Sequence, residues 1–332
     1  MTHSEFFAEI KQGAVRPVYL FAGEEEHIKA TALKTLRARL LPEGLEALNE
    51  TVLQNPPVGD ILAAAETLPM LAERRLVLVR DLALLLPGKA SENDGTAQLV
   101  AYLQNPPDTT CLVFYTHGAP DGRRKLTQAL SAQTVHFDPL GEAELHRWIA
   151  QQLKTYGKAI APDEAALLAF TAGHALLTLT QEISKLAAYL GERPQATRAD
   201  IEAVVTPSLE CTVFQLVDAL VAGRQAEAFR LLRAMLERGE ARLGILAMMA
   251  RQHRHMLHYS LMRAAGQSDA EIQKHLGIKS FAMRRLAQQV RTLDAPTLRA
   301  RLDACVDADF AVKSGKLRED AALERAMFAV MG

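Results

Sequence analysis

The stretch Val18-Tyr19-Leu20-Phe21-Ala22-Gly23-Glu24-Glu25-Glu26 decides how the first part of this chain folds. Its five consecutive apolar residues predict a strand that is buried on both faces. Gly23 then permits a tight turn, and the acidic run is typical of the first turn of a helix, where carboxylates interact favourably with the helix dipole. Strand, turn and helix in this order predict the opening of an α/β domain.

The same turn lies where a phosphate-binding loop of the form G-x-x-x-x-G-K-[ST] would begin. Counting from Gly23, the second glycine is replaced by Ile28, the lysine is kept as Lys29, and the hydroxyl residue is replaced by Ala30. A β-branched side chain cannot adopt the glycine conformation, and alanine has no oxygen for Mg²⁺. We therefore expect a degenerate nucleotide loop that does not bind ATP, with Lys29 as a solvated helix residue paired with Glu25.

Composition limits the classes of function. The 332 residues carry a net charge of −1, with 49% hydrophobic and 23% charged residues. These values are typical of a globular protein of two or three domains, and the charge argues against nucleic-acid binding by bulk electrostatics. The first residues lack the features of a signal peptide and no run approaches a membrane span, so we expect a cytoplasmic protein. The three cysteines are too widely spaced for a disulfide framework or a zinc site, and we expect them to be buried: Cys111, Cys211 and Cys305.

The first 140 residues alternate between strand and helix patterns, which predicts a parallel sheet covered on both faces. The predicted strands are Val18–Ala22, Leu48–Leu53, Leu76–Val79, Cys111–Tyr115 and Val135–Phe137. The predicted helices are Glu25–Leu41, Val58–Thr67, Thr96–Leu103 and Arg123–Leu130, and residues 87–95 predict a polar surface loop.

After residue 141 the strand signal stops, and the remainder predicts helices only. Four helical patterns occupy residues 141–208, with Pro162 at the start of one helix and a Thr197–Asp200 capping box at another. From residue 209 onward, a stripe at helical spacing marks a helix with one apolar face, and Ser268 with Glu271 caps the next helix. That stripe consists of Leu243, Leu246, Ala250, His253, Leu257 and Leu261. We therefore expect an α/β domain (1–140), a small helical domain (141–208) and a larger all-helical domain (209–332).

Five segments, in order along the chain, resemble a single family. They are Pro17-Val18-Tyr19-Leu20-Phe21-Ala22-Gly23-Glu24-Glu25, Arg74-Arg75-Leu76-Val77-Leu78-Val79, Glu144-Leu145-x-x-Trp148-Ile149, Glu182-Ile183-x-Lys185-Leu186 and Asp309-x-Ala311-Val312-Lys313-Ser314-Gly315. These resemble the bacterial DNA polymerase III delta subunit, a clamp-loader subunit related to AAA+ proteins. The resemblance covers nearly the whole chain. Its sister subunits carry a four-cysteine zinc module and a Ser-Arg-Cys motif, and this sequence has neither.

The resemblance implies an AAA+-like parallel-sheet domain, a helical lid and a helical collar through which subunits assemble. It implies a protein that binds and opens the beta sliding clamp for loading onto primed DNA during replication, without hydrolysing ATP itself. The implied partners are the clamp, the ATPase gamma/tau subunits, the delta-prime subunit and primer–template DNA, with no membrane partner. We expect no cofactor, no metal and no catalytic site of its own, although the holoenzyme is a DNA-directed DNA polymerase, a nucleotidyltransferase.

The segment Glu66-Thr67-Leu68-Pro69-Met70-Leu71 is the predicted clamp-binding turn. In the family, a motif of the form Q-x-x-S-L-F grips the clamp here, and the matching positions are Glu66, Pro69, Met70 and Leu71. Two apolar residues at a turn after a helix cannot both easily enter the sheet core, which suits insertion into a partner's pocket. The alternative is ordinary core packing under the next helix.

Two basic clusters are candidate contacts with DNA or with other subunits. The first contains Arg251, Arg254 and His255, on the face predicted to lie opposite the apolar stripe, and the second contains Lys279, Arg284 and Arg285. Solvated helix surfaces are the alternative for both clusters. Asp81, which follows a predicted strand, has no acidic neighbour in sequence with which to hold a metal.

Two functions of other classes remain open at this point. One is an active P-loop ATPase or kinase with an unusual loop, which nucleotide binding by the isolated chain would reveal. The other is a stand-alone helical DNA-binding protein, which salt-dependent DNA affinity without other subunits would reveal.

Overall fold

A computed structural model describes residues 1–88 and 95–331 of the chain. Residues 89–94 of the predicted surface loop lie outside the described residues. The described chain divides into two compact units, Met1–Leu140 and Gly141–Gly332. The first contains a parallel sheet with helices, and the second is mainly helical. The predicted fold class, α/β followed by all-α, is confirmed.

The centre of the first unit is a five-stranded parallel sheet of order β2-β3-β4-β1-β5. Its strands are β1 (Val18–Ala22), β2 (Glu50–Gln54), β3 (Arg75–Arg80), β4 (Thr110–Tyr115) and β5 (Thr134–His136). β1 lies inside the sheet between β4 and β5, and side chains from other elements cover both of its faces, which explains its uninterrupted apolar sequence. All five residues of β1 are buried.

The two faces of β1 pack against different sets of side chains. Tyr19 and Phe21 lie with their ring centroids 5.4 and 5.3 Å from the ring of Phe6. Side chains on the other face join an aliphatic cluster with residues of β3, β4 and the helices after β2: Val18, Leu20 and Ala22. This alternation fixes the register of the strand that leads into the Gly23 turn.

The helices of the first unit are close to those predicted. They are α1 (His3–Lys11), α2 (Glu26–Leu40), α3 (Glu46–Asn49), α4 (Val58–Glu66), α5 (Thr96–Gln104) and α6 (Lys125–Ala129), with a 3₁₀ turn at Ser131–Gln133. Helix α1 was not predicted, although Thr2 and Glu5 form a capping box at its start. The strand predicted from Leu48 begins two residues later because α3 occupies the preceding segment.

Helices make up most of the second unit, as predicted. They are α7 (Glu142–Thr155), α8 (Pro162–Ala172), α9 (Leu176–Leu190), α10 (Arg198–Val204), α11 (Leu209–Val221), α12 (Gln225–Glu237), α13 (Arg242–Ala264), α14 (Asp269–Leu276), α15 (Ser280–Val290), α16 (Ala295–Lys313) and α17 (Glu319–Met331). Both predicted capping boxes are present, at Thr197 and at Ser268. The prediction that no strand occurs here was wrong, since β6 (Ala159–Ile160) pairs in parallel with β7 (Gln195–Ala196). Strands of two residues are too short to produce a sequence period.

The long helix α13 packs against α11, α15, α16 and α17. Leu246, Ala250, His253 and Leu257 of the predicted stripe are buried, but Leu261 near the end of the helix is exposed. The three cysteines are buried, as predicted. Among the described residues, no single helix is long and apolar enough to cross a membrane, and α10 and α11 reach that threshold only as a pair bent by 106°.

The Gly23 turn should tolerate no side chain. Gly23 has a φ of +124°, and a Cβ atom there would lie 2.2 Å from the carbonyl oxygen of Phe137. We expect Gly23→Ala to lower the free energy of unfolding by roughly 3 kcal/mol or more in chemical denaturation, because backbone strain and a backbone collision add.

The matched control is Gly44→Ala. Gly44 has a similarly positive φ of +81°, but a Cβ atom there has no neighbour within 4 Å. We expect this variant to lose only about 1–2 kcal/mol. Equal losses in the two variants would contradict the proposed role of the Phe137 contact.

Candidate partner-binding turn

The predicted binding segment connects α4 to β3. Helix α4 ends at Glu66, and the backbone of Thr67 is extended. The Thr67 hydroxyl donates a hydrogen bond of 2.7 Å to the carbonyl of Ala63, which closes the last turn of the helix. Pro69 disfavours helical geometry at Leu68, the residue directly before it, so the helix does not continue into this segment.

The apolar side chains of this turn lie in solvent. Leu68 is 70% exposed, Met70 is 56% exposed and Leu71 is 84% exposed. Glu66 is also exposed, while Pro69 is half-buried. The alternative that Met70 and Leu71 pack in the core is therefore wrong. Three large apolar side chains exposed within four residues form a compact apolar surface of the kind that partners cover.

The backbone of the turn is strained at its most exposed residue. Leu71 has a φ of +56°, in the left-handed region that leucine rarely adopts. A non-glycine residue there costs about 1–2 kcal/mol. At 84% exposure the Leu71 side chain has little packing against the described residues, so packing does not account for the conformation. Strain of this kind is concentrated at binding and catalytic sites.

A buried asparagine holds the turn in place. The side chain of Asn49 is fully buried at the end of α3. Its Oδ1 accepts a 2.7 Å hydrogen bond from the amide of Met70, and its Nδ2 donates a 2.8 Å bond to the carbonyl of Met70. Nδ2 also donates to the carbonyl of Leu45 at 3.1 Å. The two bonds to Met70 resemble the backbone pairing between strands, and they fix the backbone that carries the Met70 side chain.

Arg75 braces the same segment from β3. Its guanidinium is largely buried and donates to the hydroxyl of Thr51 at 2.8 Å and, more weakly, to the carbonyl of Thr67 at 3.4 Å. Two side chains from neighbouring elements thus hold the ends of a turn whose own side chains point into water. Neither Asn49 nor Arg75 was singled out from the sequence as part of this site.

The degenerate nucleotide loop is closed by contacts within the protein. Gly23 makes a two-way backbone pairing with Gly118, and Ile28 is buried while Ala30 is exposed. Glu25 accepts a hydrogen bond from the amide of His27, so a carboxylate caps this helix as predicted. The first turn of α2 therefore carries its own anion.

The expectation that Lys29 is solvated and paired with Glu25 was wrong. The side chain of Lys29 is fully buried, and its Nζ donates to the carbonyls of Gly23 at 2.7 Å and Thr116 at 2.8 Å. The third donor goes to the Glu26 carboxylate at 2.6 Å. The helical period could have revealed this, because Lys29 lies three residues before Ala32 on the buried face of α2.

Asp81 also has a partner that its sequence position did not reveal. Its carboxylate lies 2.8 Å from Nδ1 of His117 and accepts from the backbone amide of His117 at 3.1 Å. Burial opposes ionisation, but hydrogen bonds from His117 and Gln54 hold the pKa of Asp81 below its ordinary value. The other ring nitrogen of His117 lies 3.7 Å from the carboxylate of Glu26. The imidazole of His117 therefore lies between the carboxylates of Asp81 and Glu26.

The basic residues of the second unit are partly engaged within the protein. Arg251 pairs with Glu210, Arg284 lies 3.5 Å from Asp163, and the Arg285 guanidinium lies over the rings of two phenylalanines. Arg254 is exposed, while His255 and Lys279 are half-buried. The described residues contain no group of three potential ligands placed to hold a metal ion.

Comparison with known proteins gives a consistent result. A family model described as "DNA polymerase III, delta subunit" matches residues 19–138, and one described as its C-terminal domain matches residues 210–330. The DNA polymerase III subunit delta of Bacillus subtilis (strain 168) is 27% identical over 327 residues, covering 96% of this chain and 94% of that protein. The solved structure of the Bacillus subtilis DNA clamp loader delta protein is similar at a TM-score of 0.64 and 25% identity, covering 99% of both chains.

Removing the Lys29 ammonium should weaken the fold. We expect Lys29→Met to lower the free energy of unfolding by roughly 2–4 kcal/mol, because the buried carbonyl of Thr116 loses its donor and Glu26 loses its cation. Chemical denaturation measures this. Lys34→Met, on the exposed side of the same helix, should change the value by less than about 0.5 kcal/mol. Similar small effects in both variants would contradict the structural role of Lys29.

Asn49 should control the order of the turn. The Met70 amide donates to Asn49 Oδ1, so we expect Asn49→Ala to speed hydrogen exchange at that amide by about tenfold or more. Exchange measured by NMR reports this directly. The control Asn105→Ala removes an exposed asparagine and should leave the rate unchanged. Unaltered protection of Met70 in Asn49→Ala would show that Asn49 does not hold the turn.

Proposed function

The chain belongs to the DNA polymerase III delta subunit family, and from that premise we propose that it binds and opens the beta sliding clamp. In this proposal the clamp is held open so that it can be loaded onto primed DNA during replication. The subunit supplies the contact that holds the clamp open, and ATP acts through neighbouring subunits. The observation that carries the proposal is the exposed, strained and braced turn at Met70 and Leu71.

The turn has the properties of a binding anchor. Met70 and Leu71 are exposed on a backbone that Asn49 fixes. Each side chain contributes about 1.5–3 kcal/mol if it becomes fully buried in a partner. Because the backbone is already ordered, little conformational entropy is lost on binding. A short, rigid apolar projection is suited to a pocket on a folded protein such as the clamp.

The four positions differ from the family's motif, but their character is partly retained. Met70 and Leu71 are apolar where the motif has leucine and phenylalanine, while Glu66 and Pro69 replace glutamine and serine. Met70 and Leu71 therefore supply the apolar contact, and Glu66 and Pro69 contribute at its edge. The unbranched side chain of methionine can adapt to a pocket shaped for leucine.

The loop after β1 supports a subunit that does not itself use ATP. The three donors of the Lys29 ammonium are directed at Gly23, Thr116 and Glu26 rather than at open space. Glu25 occupies the helix start where a phosphate would need to bind. A nucleotide at this site would have to displace both arrangements.

Assembly with the other loader subunits is assigned to residues 209–332, the collar. Exposed aromatic side chains on three of its helices are consistent with surfaces that neighbouring subunits cover. Phe229 and Phe328 lie with ring centroids 5.9 Å apart, and Phe310 is exposed on α16. Residues 1–140 would deliver the clamp contact, and residues 141–208 would orient it as the lid.

Contact with primer–template DNA would involve the two predicted basic clusters. In the two predicted basic clusters, the side chains of Arg254, His255 and Lys279 have no hydrogen-bond or ion-pair partner among the described residues, and the exposed Arg254 can meet a phosphate directly. The ion pairs of Arg251 and Arg284 would first have to open. DNA binding in this proposal therefore belongs to the assembled loader rather than to the isolated chain.

Replacing Met70 and Leu71 together by alanine tests the clamp contact. If both side chains enter a clamp pocket, the variant loses about 3–5 kcal/mol, or about two to four decades in dissociation constant. Because both side chains are exposed, the melting temperature should stay within about 2 °C of the unaltered protein. Calorimetric titration with the beta clamp and a thermal melt measure the two quantities on the same sample.

The matched control removes two exposed apolar side chains elsewhere, in Leu177→Ala combined with Leu261→Ala. This variant should bind the clamp with unchanged affinity. Preserved clamp affinity in the Met70/Leu71 variant, or an equal loss in the control, would reject the assignment of the contact to this turn.

A further inference from the structure

A cavity of about 450 Å³ lies within the second unit, among α7, α8, α11, α13, α15 and the connection that precedes α15. Its volume falls in the range of pockets that bind small organic molecules. None of the residues of the proposed clamp contact lines it, since those lie in the first unit. The cavity is therefore not part of the proposed clamp contact, and a role for it goes beyond the proposed function.

One wall of the cavity is aromatic. The ring of Phe170 on α8 lies 5.4 Å from that of Phe214 on α11 and 5.0 Å from that of Phe281 on α15, measured between centroids. Val213 and Leu286 extend this wall with aliphatic surface. A flat apolar molecule can stack against such a wall with offset or edge-to-face geometry.

The two acidic groups of the cavity are already engaged. The carboxylate of Glu142 accepts hydrogen bonds from the amide of Ser280 at 3.0 Å and from its hydroxyl at 2.9 Å. Glu210 is paired with Arg251. Neither carboxylate is therefore free to attract a cationic ligand without giving up a bond inside the protein.

The groups without partners are basic or neutral. Lys279, His146, His174 and His255 all line the cavity, and none of them has a hydrogen-bond or ion-pair partner in the part of the chain that the structure describes. Burial lowers the pKa of His255, and partial burial together with the charge of Lys279 lowers the pKa of His174. At neutral pH these two imidazoles are uncharged and can donate or accept hydrogen bonds. Lys279 is the one cation on the wall that lacks a partner among the described residues.

We propose that this cavity binds a small organic anion with a flat aromatic body, whose carboxylate or similar group meets Lys279. The aromatic wall takes the body of the ligand, and the neighbouring imidazoles supply hydrogen bonds to its polar end. A charge-assisted bond to Lys279 distinguishes such a ligand from a neutral molecule of the same shape.

The position of the cavity means that a bound ligand should change the stability of the second unit. Its walls come from helices on both sides of the connection between α10 and α11, namely α7 and α8 before it and α11, α13 and α15 after it. A bound molecule adds contacts to both sets at once. Occupancy should therefore stabilise their packing and raise the melting temperature of the full chain.

The test uses 1-naphthoate as the anionic probe and 1-naphthalenemethanol as its neutral counterpart, titrated into the full-length protein by calorimetry. We expect saturable 1:1 binding of naphthoate in the micromolar to millimolar range. In Lys279→Met, naphthoate affinity should fall by about tenfold or more, while the affinity for the neutral alcohol should change by less than about twofold. The Lys279 side chain makes no hydrogen bond to the described residues, so this variant should fold normally.

The matched control is Lys274→Met, which removes an exposed lysine that does not line the cavity. Its naphthoate affinity should equal that of the unaltered protein. Absence of saturable naphthoate binding up to several millimolar would overturn the proposal. So would equal naphthoate affinity in Lys279→Met and the unaltered chain, or an equal loss in the two lysine variants.

Discussion

The buried ammonium of Lys29 is the interaction on which the first unit depends. It joins the turn after β1, the end of β4 and the first turn of α2 through bonds to Gly23, Thr116 and Glu26. In a phosphate-binding loop, the corresponding lysine faces the nucleotide. Here the lysine donates its hydrogen bonds to groups of the loop and the adjoining helix instead. The turn after β1, the end of β4 and the first turn of α2 are thereby joined into one fixed connection at the carboxyl edge of the sheet.

The exposed turn at Met70 and Leu71 has conformational and solvation costs of its own. Leu71 adopts a left-handed backbone, and three apolar side chains lie in water. Asn49 and Arg75 offset these costs with hydrogen bonds made from buried positions on α3 and β3. In the proposed function, the fold holds in advance a conformation that a partner would otherwise have to induce, which favours binding because less conformational entropy is lost.

The sequence predicted those features whose causes are local. The apolar runs of β1, β3 and β4 are buried strands, and the boxes at Thr197 and Ser268 cap helices. The partners of Asn49 and Asp81 could not be predicted, because they lie 21 and 36 residues away and carry no shared pattern. The charge of Lys29 favours an exposed position, but its place in the helical period puts it on the buried face of α2, and there the period determines the outcome. The exposure of Met70 and Leu71 could be anticipated, but the conformation that presents them could not.

The most direct test of the account is the affinity of the purified chain for the purified beta sliding clamp in the absence of nucleotide. The account predicts a saturable complex by calorimetry, with a dissociation constant that Mg-ATP leaves unchanged, because the contact is formed by a turn that is already ordered. Absence of a complex, or a complex that forms only when ATP is added to these two proteins, would contradict it.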